Sequence, residues 1–66
     1  MELLIIKSNL DYIRFKEDTY LPVKLDKASV FPLDQIKHVQ NHVVCLREKG
    51  FANVCIKKLV LTEEDL

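Results

Sequence analysis

Apolar and polar residues alternate along two stretches of this chain, and in a third the apolar residues recur every third or fourth position. In "DYIRFK" (11–16), Ile13 and Phe15 fall on one face and Tyr12, Arg14 and Lys16 on the other, which predicts a half-buried strand. "YLPVKL" (20–25) alternates again and is expected to point Leu21, Val23 and Leu25 inward, with Tyr20, Pro22 and Lys24 outward. Pro22 has no N–H to give to a ladder, so this strand is expected at a sheet edge. Before them, "ELLIIKS" (2–8) is a short apolar run that reads as a strand with both faces partly covered. The turns "SNLD" and "KEDT" separate the three, since Asn and Asp tolerate left-handed backbone.

The helical period belongs to "FPLDQIKHVQNHVVCLREKG" (31–50). At about 100° per residue, Leu33, Ile36, Val39, Val43 and Leu46 fall within an arc of about 140°, the width of a core-facing stripe. Pro32 suits a first helical turn, Asp34 complements the dipole at the start, and Arg47 and Lys49 complement it at the end. Gly50, the only glycine, stands where a left-handed cap is needed. "ANVCIKKLVLT" (52–62) predicts a fourth strand, with Val54, Ile56 and Val60 on one face and Cys55, Lys57, Leu59 and Leu61 on the other. A bulge near Lys57–Lys58 would move Leu59 and Leu61 to the first face.

The expected fold is therefore α+β, in the order β-β-β-α-β: a four-stranded, mainly antiparallel sheet with one helix on one face. Residues 1–62 form a single domain, and 63–66 an acidic tail expected to fray. One helix covers one side of such a sheet, so the reverse side is left for water or for another molecule.

Composition narrows the classes. Sixty-six residues, nearly half apolar with one glycine and two prolines, make one ordered domain with a small core, a size that often gains burial by association. Ten basic and ten acidic side chains give no net charge, which counts against a domain living mainly on phosphate contacts. No apolar run approaches the roughly 20 residues of a membrane span. "MELLIIKSN" lacks the basic start and small-residue cleavage site of a signal peptide, and two cysteines without one suggest reduced thiols in a cytoplasm.

Candidate chemistry concentrates in "HVQNHVVC" (38–45). His38, His42 and Cys45 form a row on the helix, but His38 and Cys45 lie opposite the core stripe and His42 on its flank. Cys55 would have to supply an intramolecular fourth ligand, and it is expected on the far side of the sheet. Neither a zinc site nor a disulfide follows. The Glu that makes His-x-x-x-His a metalloprotease signature is replaced by Val39, and one glycine builds no phosphate loop. No cofactor, metal or catalytic group is expected, and the chain reads as a non-catalytic interaction or accessory domain.

Its contact surface is expected on the uncovered sheet face, where Leu3, Ile5, Leu59 and Leu61 form an apolar surplus beside Tyr12, Arg14 and Tyr20. A homodimer or a protein partner is the expected occupant. The second reading is a nucleic-acid-binding module, in which Tyr12 and Tyr20 stack bases while Arg14, Lys16, Lys24 and Lys57 hold phosphates.

Overall fold

The computed structural model describes residues 1–65, so the last residue of the acidic tail, Leu66, lies outside the described residues. The chain folds as an antiparallel sheet with one helix packed against it. Strand β1 (Glu2–Ser8) is the centre of that sheet. On one side it pairs along its whole length with β5 (Val54–Val60), from Glu2↔Val60 to Ser8↔Val54 without a break. No bulge interrupts the pairing, so Leu59 stays in phase with Leu3.

The other side of β1 is shared by two strands. Its C-terminal end pairs with β2 (Asp11–Lys16) at Lys7↔Tyr12 and Ser8↔Asp11. Its N-terminal end pairs with β4 (Phe31–Pro32) at Leu3↔Pro32 and Leu4↔Phe31. Ser29 bridges the fork. Its N–H donates to the Ile13 carbonyl, and its Oγ accepts from the Phe15 N–H at 2.9 Å. The outer strand β3 (Thr19–Val23) pairs only with β2, as its Pro22 requires.

Helix α1 spans Ile36–Glu48, shorter than the 31–50 its pattern suggests. Phe31 and Pro32 pair with β1, and a 3₁₀ turn at Leu33–Gln35 leads into the helix. The predicted stripe is accordingly buried only where it crosses the sheet, at Val39, Val43 and Leu46, while Leu33 and Ile36 are exposed. The end of the helix follows the cap expected of Gly50, which adopts φ +95°. The Gly50 N–H donates to the Arg47 carbonyl and the Phe51 N–H to the Leu46 carbonyl, the paired bonds of a Schellman cap. Phe51 then packs against the core.

Leu4 and Ile6 of β1, Ile13 of β2 and Val54 of β5 meet Val39, Val43 and Leu46 to form that core. Ser8 is buried beside it and is satisfied, its Oγ donating to the Ala52 carbonyl at 2.7 Å. Asn53 Nδ2 donates to Asn9 Oδ1 and ties the loop before β5 to the β1–β2 turn.

Among the described residues, the β2–β3 turn is where residue type and backbone disagree. Glu17 (φ +52°) and Asp18 (φ +60°) form a two-residue loop with both residues left-handed, a geometry that favours Asn-Gly. The double substitution Glu17→Asn with Asp18→Gly is expected to stabilise the domain by about 1 kcal/mol, read from urea unfolding. An unchanged or lower midpoint would show that this turn carries no conformational penalty.

Candidate functional site

Strand alternation and the registers above place Leu3, Ile5 and Lys7 of β1 on the face away from the helix. With them lie Tyr12, Arg14 and Lys16 of β2, Leu21 and Val23 of β3, Pro32 of β4, and Cys55, Lys57 and Leu59 of β5. Leu61 continues in phase just beyond β5. Its N–H donates to the Met1 carbonyl at 2.7 Å, and the Met1 ammonium donates to the Leu61 carbonyl at 2.9 Å, adding a rung to the ladder.

This face is ordered by chemistry along β1. One end is apolar: Met1, Leu3, Pro32, Leu59 and Leu61 cluster there, with Met1 81% exposed. A hollow lined by Met1, Leu61, Thr62 and Glu63 opens beside them. Farther along, Lys57 lies opposite Ile5 and Leu21 opposite Arg14, and the far row holds Cys55, Lys7, Tyr12 and Val23. No strand position on this face is an Asp or Glu. Lys7 Nζ sits 5.4 Å from the centroid of the Tyr12 ring, a cation–π contact that occupies this aromatic. The Arg14 guanidinium reaches the Lys27 carbonyl at 3.5 Å, the outer limit of a hydrogen bond.

Four expectations about this surface need correction. Ile5 lies on the face but is only 3% exposed, so it is a floor and not a contact residue. Leu3 and Lys7 flank it and Lys57 lies across from it, and long side chains cover apolar neighbours with their stems. Leu21 and Val23 point to this face and not to the core, because Leu21 pairs with Arg14 and Val23 with Tyr12. Tyr20 is opposite Phe15 and therefore shares the helix side with it. It belongs to neither the interaction set nor the base-stacking set. Lys24 lies past the end of β3, at the start of a 3₁₀ turn over Leu25–Lys27, and leaves the cationic row.

Tyr20 instead completes an aromatic group around His42. The ring centroids of Phe15, Tyr20 and Phe31 lie 4.7, 5.6 and 5.6 Å from that of the imidazole. Tyr20 Oη and His42 Nδ1 are hydrogen-bonded at 2.7 Å. Burial, and then the charge of His38, hold the His42 pKa below its ordinary 6.5. Burial, and then the neighbouring Cys45, push the Tyr20 phenol above its ordinary 10.0. Both shifts favour the neutral forms of the phenol and the imidazole, and the tautomer of His42 sets which of the two donates.

A histidine whose folded pKa is depressed adds stability that is complete above its unfolded value, about 6.5, and declines as pH falls from there toward the folded value. The thermal midpoint is thus expected to drop between pH 7.5 and pH 5, and to drop less in His42→Gln. Equal slopes in the two proteins would contradict the neutral pairing.

No group of three or more His, Cys, Asp and Glu converges as a metal site among the described residues. Cys45 is exposed on the helix, Cys55 is half-buried on the sheet face, and both are unpaired. No helix among the described residues is long and apolar enough to cross a membrane. Searches against protein-family models, curated proteins and solved structures return no match to this chain.

Proposed function

We propose that this chain is a non-catalytic interaction domain whose contact surface is the uncovered sheet face, and that a second copy is its occupant. The observation that supports the reading is the segregation of that face. Its apolar residues, Met1, Leu3, Pro32, Leu59 and Leu61, collect at one end, while Lys7, Arg14 and Lys57 lie toward the other. A two-fold axis through the apolar end brings leucines together and leaves the cations at the rim, where like charge is least costly. A domain this small gains from such burial what its own core does not supply. Two unpaired thiols fit a reducing compartment, and the proposal places the chain in the cytoplasm.

Lys7, Arg14, Lys16 and Lys57 with no opposing acid support nucleic acid as the second reading. Its aromatic platform is reduced to Tyr12, already covered by Lys7. Salt separates the two readings. Raising it screens the cations of a two-fold pair and tightens the dimer, whereas affinity for a single-stranded oligonucleotide falls steeply and is lost in Arg14→Glu. Titration of a fluorescent oligonucleotide into wild type and Arg14→Glu at two salt concentrations reads the second reading directly.

A further inference from the structure

The outer edge of β5 and the flank of the helix beside it form a second surface, distinct from the sheet face. Met1 and Leu61 exchange both of their backbone hydrogen bonds, so Leu59, Lys57 and Cys55 likewise turn theirs toward β1. The intervening residues Val54, Ile56, Lys58 and Val60 must then turn their N–H and C=O groups outward. Among the described residues only one of these groups has a partner, the Val54 carbonyl, which accepts from Arg47 Nη2 at 3.4 Å.

Beside this edge runs a groove of about 400 Å³ between β5 and α1. Val43, Val44, Val54 and Ile56 give it an apolar lining, with Gln40 and Arg47 on the helix side. Arg47 is its single charge, and no acidic residue lines it. An unpaired ladder edge beside an apolar groove under a helix is the arrangement that accepts an added strand.

We infer that the β5 edge binds an extended peptide segment of a partner protein by strand addition, with apolar side chains in the groove and a carboxylate against Arg47. Charge favours this occupant over the β5 of a second copy. Two-fold pairing of β5 with itself centred at residue 57 or 58 sets Lys57 against Lys57 or Lys58 against Lys58. Centred at Ile56, it brings the partner's Lys58 opposite Val54, next to Arg47. An acidic segment meets no such repulsion. The inference does not rest on the sheet-face reading, because it uses other residues and another kind of bond.

The test is a titration of ¹⁵N-labelled protein, followed by amide shifts, with the end-capped pentapeptides Glu-Val-Thr-Val-Glu and Lys-Val-Thr-Val-Lys up to millimolar concentration. The acidic peptide is expected to shift the amides of Ile56, Lys58 and Val60. Its affinity should fall about tenfold or more in Val44→Asp and in Arg47→Glu, both at exposed positions, and in the lysine peptide. The inference is overturned by equal binding of the two peptides, by shifts centred on Leu3, Tyr12 and Leu59, or by no shift at all. It is equally overturned if raising the concentration of Leu59→Asp protein alone moves the amides of Ile56 and Lys58, since a second copy then holds the edge without the sheet-face contact. None of these outcomes alters what Leu59→Asp does to dimerisation, so the two proposals fail separately.

Discussion

Leu46→Ala is expected to remove about 3 kcal/mol of stability, the middle of the range for truncating a buried leucine. Leu46 is fully buried where α1 crosses the sheet, as a member of the core group. Its carbonyl also accepts the Phe51 N–H of the helix cap, so the cavity opens beneath the point where the chain turns into β5. A domain of 66 residues has about 3 to 10 kcal/mol in total. The truncation therefore takes between a third and all of it, and the urea midpoint should fall by a comparable fraction. Val44→Ala is the matched control: Val44 is 52% exposed two positions away, and its truncation should change stability by no more than about 0.5 kcal/mol. Similar losses in the two variants would show that the helix does not present Val39, Val43 and Leu46 to the sheet.

Leu59→Asp is expected to raise the dimer dissociation constant by at least about two orders of magnitude while leaving the fold intact. Leu59 is half-buried on the sheet face, outside the core, and pairs with Leu3. A carboxylate there is tolerated by a monomer with water above it, but it would enter the apolar contact of a closed pair without a partner. Leu21→Asp, on β3 at the opposite side of the face, places the same charge beside Arg14 and should leave association nearly unchanged. Sedimentation of the two variants beside wild type checks the contrast. Equal weakening by both would spread the contact over the whole face and remove the special role of the apolar end.

The hydrophobic pattern carried most of the fold. Val39, Val43 and Leu46 on one helix face, and Leu4, Ile6 and Val54 on matching strand faces, are legible because period and burial agree. Strand three is where pattern misled. Leu21, Val23 and Leu25 alternate as a core face should, yet the two-residue loop at Glu17–Asp18 pairs Lys16 with Thr19 and hence Phe15 with Tyr20. Turn length outranks hydropathy here: a two-residue loop fixes the hairpin register and with it Tyr20 on the helix side.

The His42 environment was missed for the same reason. Its position on the flank of the helix stripe is legible, but the partner that meets it comes from the misassigned face of β3. Phe31 and Pro32 read as helix because Pro is favoured in a first turn, and nothing local distinguishes that role from the two-residue bridge they make with Leu3 and Leu4. The groove beside β5 depends on which strand ends the sheet. That follows from β1 holding the centre, a long-range fact that no window of sequence contains.

Sedimentation equilibrium of the unmodified chain over a wide concentration range, at about 50 mM and about 500 mM salt, bears most directly on the proposed role. A two-fold contact through Leu3, Leu59 and Leu61 gives twice the monomer mass at both, with tighter association at the higher salt. A chain that stays monomeric to millimolar concentration at both, or a dimer that dissolves as salt rises, contradicts it.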